Sequence, residues 1–158
     1  MVDVKVATEA VIGNLPVTVR RRVKWGECDP AGVVYFVNYG EYVVSAYELM
    51  MTELLGEEFQ KAKARHGVAL PAKAFKIDFS ASLRTGDEFL MTVEISDIRT
   101  KTFDALVRGH SVSRSPLFWA TLTLIAVRPM DRSAMPLPVA LVAELERYRT
   151  ACVAAATA

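Results

Sequence analysis

The spacing of hydrophobic residues changes twice along the chain. From Val17 to Trp25 apolar and polar residues alternate, which is typical of a strand, although Arg21 interrupts its apolar face. From Tyr39 to Leu55 apolar residues recur every three or four positions, which predicts a helix with Gly56 as its C-cap. Because the apolar face of this helix is so broad, we expect a sheet to wrap around it.

After a short charged helix and loop over 57–67, the spacing has a period of two. Four strands are predicted here, over 74–83, 88–98, 103–113 and 117–127, and a terminal helix over 138–148. Short turns between strands favour antiparallel pairing, so the fold class is α+β, with a five-stranded antiparallel sheet around one central helix. Such a sheet leaves an edge strand open, and we expect subunits to pair there.

Length and composition fit one domain over residues 1–158, with a core of about 17–129 and a C-terminal helix of about 138–150. The net charge of +1 argues against a nucleic-acid-binding protein. The chain contains no apolar run of membrane-spanning length, and the charged residues in 1–14 argue against a signal peptide. Cys28 and Cys152 are far apart, so no disulfide and a cytoplasmic location are expected. The Ala-rich end, 151–158, is expected to fray.

The most informative stretch joins the first strand to the central helix. Asp29 precedes Pro30 and Gly32, and this order predicts a tight turn that carries a carboxylate. Asn38 is then a good N-cap, with Glu41 placed as in a capping box. Such a turn is by itself more often structural than functional, but here it sets an acid just ahead of a helix N-terminus.

Other candidate sites are weaker. The run Gly109 to Ser113 approaches a nucleophile elbow but lacks the final glycine and lies in a predicted strand. His66 and His110 have no acid or metal-ligand partner at useful spacing, and Cys28 has no paired base. Motifs for metal binding, nucleotide hydrolysis and dinucleotide binding are absent, so no cofactor is expected.

The arginines at positions 20–22 allow two interpretations. They form either a phosphate-binding patch or, as we favour, a solvated strand face with one arginine turned to an edge or a partner.

Residues 25–39, Trp-Gly-Glu-Cys-Asp-Pro-Ala-Gly-Val-Val-Tyr-Phe-Val-Asn-Tyr, closely resemble the active-site segment of hotdog-fold acyl-CoA thioesterases of the 4-hydroxybenzoyl-CoA thioesterase type. A second segment agrees: Lys101-Thr102-Phe103, followed by His110-Ser111-Val112-Ser113-Arg114. With the order of elements, the similarity spans about Val17 to Pro129. The resemblance implies a hotdog fold and an acyl-CoA thioesterase that hydrolyses an aroyl-CoA, either 4-hydroxybenzoyl-CoA or a related aromatic or short acyl-CoA. It also implies a homotetramer built from dimers, with coenzyme A as part of the substrate.

The resemblance also implies the roles of individual residues. Asp29 would be the catalytic carboxylate, either as the nucleophile or as the base that activates water. The backbone N–H of Phe36 would polarise the thioester oxygen, and Gly32 would shape the turn. Arg99 and Lys101 would contact the phosphates of coenzyme A. The helix positions Val43, Val44 and Tyr47 would line the acyl pocket.

Three alternatives have features that distinguish them. An acyl-carrier-protein thioesterase would need a basic docking patch, which Arg20 to Arg22 could supply. A non-catalytic acyl-CoA sensor on the same fold would usually add a DNA-binding segment and lack the acid, whereas no such segment precedes Val17 and Asp29 is present. A dehydratase of this fold would usually place a histidine a few residues after its aspartate, and residues 30–38 contain none.

Overall fold

The computed structural model describes residues 7–158. Residues 1–6, which belong to the segment 1–14 judged not to be a signal peptide, lie outside it. Six strands form one antiparallel sheet in the order β1-β2-β4-β5-β6-β3. The strands are β1 (Glu9–Asn14), β2 (Val17–Arg22), β3 (Ala72–Phe79), β4 (Glu88–Ile98), β5 (Thr102–Ser111) and β6 (Pro116–Ile125). The helices are α1 (Asn38–Leu55), α2 (Phe59–His66) and α3 (Val139–Ala156).

The expected hotdog arrangement is confirmed, with α1 as its core. Eight residues of α1 are buried, because the helix packs against β2, β4, β5 and β6 and also against α2 and α3. Gly56 ends the helix in the left-handed conformation expected of a C-cap. The inward rows of β2, β4, β5 and β6 complete the core, and each has the period of two that the sequence indicates.

The sheet has one strand more than the sequence indicated. β1 pairs with β2 and places Glu9 opposite Arg21. Its residues are only partly buried and show weak alternation, so the pattern gives little signal. The first predicted strand ends at Arg22 instead of Trp25, and the Trp25 side chain is exposed because residues 25–27 form a short 3₁₀ helix.

Two further expectations are wrong. Asn38 is the first residue of α1 and not its N-cap, and its side chain bonds elsewhere, so the capping box with Glu41 does not form. The Ala-rich end is helical to Ala156 as part of α3, since Leu141, Leu145, Tyr148 and Cys152 fasten that helix to the core. In residues 7–158, none of the helices has the length and apolar character needed to cross a membrane.

Tyr148 ties α3 to the sheet by two hydrogen bonds. Its hydroxyl donates to the carbonyl oxygen of Val93 at 2.6 Å and accepts from the N–H of Val17 at 2.8 Å. The hydroxyl of Tyr47 is the natural comparison, because it is buried on α1 without a hydrogen-bond partner in residues 7–158.

We expect Tyr148→Phe to lower the free energy of unfolding by about 1–3 kcal/mol, because two buried backbone groups lose their partner. Tyr47→Phe should leave stability unchanged or raise it, because it removes a buried hydroxyl that bonds to nothing. Urea denaturation followed by circular dichroism measures both. Equal losses in the two variants would contradict the role assigned to Tyr148.

Candidate active site

The predicted Asp-Pro-x-Gly turn closes a small hairpin between β2 and α1. Cys28 and Val34 form its antiparallel bridge. The N–H of Asp29 donates to Val33 O at 2.8 Å, and the N–H of Gly32 donates back to Asp29 O at 2.9 Å. Gly32 has φ +81°, a conformation that residues with a Cβ adopt at a cost. The turn thus depends on glycine, and it fixes the backbone of Asp29 from both sides.

The carboxylate of Asp29 is half-buried and only partly engaged. One oxygen, Oδ1, accepts the N–H of Ala31 at 2.8 Å, which orients the side chain over its own turn. The other oxygen accepts no hydrogen bond from residues 7–158. Asp29 is therefore oriented yet has an oxygen available to a substrate or to water.

Phe36 lies where this segment turns into α1. Its carbonyl accepts the N–H of Tyr39 at 3.2 Å, while its own N–H donates to no acceptor in residues 7–158. The Phe36 side chain is 64% exposed. A free N–H just before a helix start, near the positive end of the helix dipole, is suited to stabilising negative charge.

An open cleft of about 310 Å³ adjoins Phe36. Tyr39 and Phe79 form an aromatic wall, with ring centroids 4.8 Å apart in an edge-to-face arrangement. Val34 and the segment Ser80–Ser82, which follows β3, also line the cleft. The cleft therefore combines aromatic surface with two hydroxyl groups.

The three helix positions assigned to an acyl pocket lie elsewhere. Val43 is fully buried, and Tyr47 packs against Phe59 and Phe103 in the core. Val44 is 38% exposed on the outer side of α1. None of the three lines the cleft beside Phe36, so within one chain they do not form a pocket with it.

Arg99 and Lys101 lie at the end of the sheet opposite Asp29. They belong to the turn between β4 and β5, whereas the Asp29 hairpin pairs through Val33 with Arg84, just before β4 begins. The eleven residues of β4 separate these ends by roughly 30 Å, at about 3.3 Å per residue. Within one chain the structure does not bring the predicted phosphate contacts to the predicted acid.

The side chain of Arg99 is already engaged. Its guanidinium donates to both oxygens of Asp104, at 3.1 and 2.7 Å, and to the hydroxyl of Thr102. Lys101 is exposed on the same turn.

Arg21 and Glu27 form a buried network that the sequence did not reveal. Arg21 is 6% exposed and donates to Glu9 and to Glu27, each at 2.6 Å. The second oxygen of Glu27 accepts the hydroxyl of Tyr42 at 2.6 Å. The only signal in the sequence was the interruption of an apolar face by Arg21, and nothing local showed which acids would meet it.

The network keeps its groups in fixed protonation states. Burial alone would raise the pKa of Glu27, but hydrogen bonds from Tyr42, Lys24 and Arg21 outweigh it and hold that pKa below the ordinary value. Burial raises the pKa of Tyr42, and the adjacent carboxylate of Glu27 raises it further. Glu27 is therefore an anion and Tyr42 a neutral donor at neutral pH.

The three consecutive arginines match the favoured interpretation only in part. Arg20 and Arg22 are partly exposed on the outer face of β2, but Arg21 is buried instead of turned to an edge or a partner. Arg21 points into the core, and Arg20 on the opposite face lies 3.8 Å from Glu88. With Arg21 buried, the basic docking patch expected of an acyl-carrier-protein thioesterase is missing its central residue.

The two histidines and the two cysteines are the remaining candidates named from the sequence. His110 lies in β5, and His66 ends α2, where burial lowers its pKa. Cys28 is a half-buried free thiol, and Cys152 is a buried one. Within the described part of the chain, no group of three or more His, Cys, Asp or Glu side chains is placed to hold a metal ion.

A family model described as the thioesterase-like superfamily matches residues 23–145, which include the Asp29 hairpin and the whole of α1. The chain belongs to the thioesterase-like superfamily. This confirms the resemblance found in residues 25–39 and the prediction of an enzyme of the thioester hydrolase class.

Relatives within the superfamily are distant. The chain is 28% identical over 100 residues to a 4-hydroxybenzoyl-CoA thioesterase from Pseudomonas sp. (strain CBS-3), covering 63% of this chain and 69% of that protein. It is 25% identical over 119 residues to a 1,4-dihydroxy-2-naphthoyl-CoA hydrolase from Thermosynechococcus vestitus, covering 75% and 81%. A solved 1,4-dihydroxy-2-naphthoyl-CoA thioesterase from Synechocystis superposes with a TM-score of 0.72 at 26% identity, covering 81% and 93%.

We expect Gly32→Ala to destabilise the protein by about 1–2 kcal/mol, because alanine strains the left-handed backbone. Since the strain acts on the Asp29 turn, turnover of a thioester substrate should also fall. Gly67→Ala is the matched control, because Gly67 is also left-handed, also has no atom near its missing Cβ, and caps α2. Thermal unfolding and steady-state hydrolysis separate the effects, and a Gly67 variant that loses as much turnover would contradict the special role of the turn.

Proposed function

We propose that this superfamily member is an acyl-CoA thioesterase that hydrolyses an aroyl-CoA to the free acid and coenzyme A. One observation supports the proposal most directly. An oriented carboxylate with a free oxygen, Asp29, and an unbonded N–H at a helix start, Phe36, belong to one short segment beside an aromatic cleft.

The chemistry requires little more than these two groups. Asp29 either attacks the thioester carbonyl or takes a proton from the water that does. The carbonyl oxygen then becomes an oxyanion, which the N–H of Phe36 and the dipole of α1 stabilise. Collapse breaks the C–S bond, and the thiolate leaves without a strong general acid because the pKa of its conjugate acid is roughly 8–9, like that of cysteine. If Asp29 is the nucleophile, an acyl anhydride of Asp29 remains, and water hydrolyses it to the free acid and the regenerated carboxylate. If Asp29 is the base, it passes the proton taken from water to the departing thiolate. We propose that no cofactor is needed beyond the coenzyme A of the substrate.

The cleft supports an aromatic acyl group. Tyr39 and Phe79 offer the edges and faces against which a ring packs well. Ser80 and Ser82 offer hydroxyls that could pair with a ring hydroxyl. Both distant relatives are described by hydroxylated aroyl-CoA substrates. We therefore place the acyl group in this cleft. Val43 and Tyr47 are buried in the core of each chain, so only the exposed Val44 is left for a contact in an assembled oligomer.

We further propose that the active unit is a symmetric dimer joined through β3, and that two such dimers form a tetramer. β3 is an edge strand, seven of its eight residues are exposed, and Phe75 and Phe79 are among them. An exposed edge with apolar side chains is a template for pairing with another strand. Antiparallel pairing of two copies about a twofold axis satisfies both edges.

Such a dimer would explain the position of Arg99 and Lys101. The turn that carries them lies at the same end of the sheet as Ala72, the start of β3, while the Asp29 hairpin lies at the end of Phe79. A twofold axis through β3 sets the Ala72 end of one protomer beside the Phe79 end of its partner. Each active site would then combine Asp29 of one chain with the basic turn of the other, and the pantetheine arm would span the space between them.

We expect Asp29→Asn to lower turnover of aroyl-CoA by about two to four orders of magnitude, because the acid that attacks or activates water is lost. The measurement is steady-state hydrolysis of a panel of 4-hydroxybenzoyl, 1,4-dihydroxy-2-naphthoyl, benzoyl, phenylacetyl and short aliphatic CoA esters. The ranking of these substrates names the acyl group.

Asp131→Asn is the matched control for this experiment. Asp131 is also a turn carboxylate whose oxygen accepts an N–H two residues ahead, at 2.9 Å from Ser133, but it lies in the exposed loop after β6. It should keep wild-type turnover. If the wild-type protein binds CoA esters but hydrolyses none of them, the enzyme proposal fails and a binding or sensing function takes its place.

The shared site is tested by mixing two defective chains. Asp29→Asn and the double variant Arg99→Ala, Lys101→Ala should each have low activity. The random mixture should regain about a quarter of the wild-type activity, because half of its dimers are mixed and one of their two sites is intact. Mixed dimers isolated through both tags should regain about half, because every dimer then has one intact site. Chains carrying different affinity tags, refolded together and purified through both tags, provide the measurement. If verified mixed dimers recover no activity, Asp29 of one chain and the Arg99 and Lys101 turn of the other do not share a site.

A further inference from the structure

Glu27 makes hydrogen bonds to two different parts of the protein, one set through its carboxylate and the other through its backbone carbonyl. Its carboxylate points to the core, where Oε1 accepts from Arg21 and Oε2 accepts from the hydroxyl of Tyr42 and the N–H of Lys24. Its carbonyl oxygen points to the active-site segment, where it accepts the N–H of Tyr35 at 2.9 Å and the side-chain amide of Asn38 at 2.8 Å. One residue thus joins the buried network to both ends of the segment 27–38.

The segment tied by these bonds contains both proposed reacting groups. Asp29 follows Glu27 by two residues, and Phe36 lies between Tyr35 and Asn38, which both bond to the Glu27 carbonyl. A displacement of the Glu27 backbone therefore shifts the carboxylate and the oxyanion donor relative to each other. A misplacement of about 1 Å at reacting groups can cost about 100-fold in rate, even when its cause is remote.

The hydrogen bonds of the Glu27 carboxylate to Arg21 and Tyr42 hold it firmly, because they are buried and the Arg21 pair is charged. Arg21 and Glu27 are 6% and 9% exposed, and the guanidinium carbon of Arg21 lies 4.5 Å from the centre of the Tyr42 ring. Hydrogen bonds between ionised groups are shorter and stronger than neutral ones, and the low polarity of the surroundings strengthens them further.

We propose that Glu27 is a positioning residue for thioester hydrolysis, whose Arg21- and Tyr42-bound carboxylate sets the distance between the Asp29 carboxylate and the Phe36 N–H. This inference rests on the proposed function. It makes the Arg21–Glu27 ion pair part of the catalytic apparatus and not only of the core.

The second ion pair of Arg21 distinguishes positioning from simple stability. Glu9 meets the same guanidinium at the same 2.6 Å distance, but it lies on β1 and contacts the helix side chain of Ser45 instead of the active-site segment. Glu9→Gln and Glu27→Gln thus remove equivalent charges from one arginine. Only the second change acts on the segment that carries Asp29.

Glutamine cannot reproduce the contacts of Glu27. It has one acceptor oxygen and one donor nitrogen, while the two glutamate oxygens face donors from Arg21, Tyr42 and Lys24. In either orientation of the amide, two donors face each other and the side chain must move.

The first experiment compares the two variants by steady-state kinetics on the best substrate of the CoA-ester panel, with thermal unfolding measured in parallel. We expect Glu27→Gln to lower kcat by about 10–100-fold with KM within about twofold, since Glu27 itself does not line the cleft assigned to the acyl group. Glu9→Gln should lower the melting temperature to a similar extent but keep kcat within about threefold. Equal loss of kcat in both variants would overturn the positioning role.

The second experiment is a double-mutant cycle between Glu27→Gln and Asp29→Asn. If Glu27 acts by positioning Asp29, its loss should reduce the residual rate of the Asp29 variant by less than about threefold, so the two effects are strongly non-additive. A general structural defect would multiply the two losses, and that result would overturn the proposal.

The outcomes also separate this inference from the proposed function. If wild type hydrolyses no thioester, the proposed function fails before Glu27 is tested. If wild type and Glu27→Gln hydrolyse the substrate equally well while Asp29→Asn does not, the proposed function stands and the positioning role alone is rejected.

Discussion

The burial of Arg21 is the constraint on which the arrangement of the Asp29 hairpin and the start of α1 depends. A guanidinium in the core is costly unless anionic groups surround it. Its partners come from three different places: Glu9 from the edge strand β1, Glu27 from the segment before α1, and the ring of Tyr42 from α1 itself. To satisfy one charge, a strand, a loop and the central helix must converge on β2. This requirement fixes the position of the start of α1 relative to β2.

The geometry of the Asp29 segment follows from this convergence. Because Glu27 is fixed from the core, its carbonyl is a stable acceptor for Tyr35 and Asn38, and the intervening chain closes into a hairpin around Asp29. Closing the chain in this way also explains why Asn38 is not an N-cap, since its amide bonds back to the loop. Phe36 lies just before α1, and its N–H has no acceptor in residues 7–158. The same segment thus gains an oriented acid and an unoccupied donor.

On the proposed function, one chain supplies only part of what a CoA ester requires. The acid and the aromatic cleft lie at the Phe79 end of β3, and the basic turn of Arg99 and Lys101 lies at the Ala72 end. The exposed β3 edge relates these two ends if copies pair about a twofold axis, as we propose. A site completed by dimer assembly would then explain two features together. These are the open edge of β3 and the distance of Asp29 from Arg99 and Lys101.

The sequence alone determined the elements whose signals are local. The Asp-Pro-x-Gly turn, the apolar stripe of α1 with Gly56 at its end, and the alternation in β4, β5 and β6 depend on neighbouring residues, and the structure contains all of them. Tertiary structure decided the inward direction of Arg21, the pairing of β1, the acceptor of the Asn38 amide and the distance of Arg99 from Asp29. Each of these depends on groups far apart in sequence, and a buried charge or an edge strand finds its partners only when the whole sheet has formed.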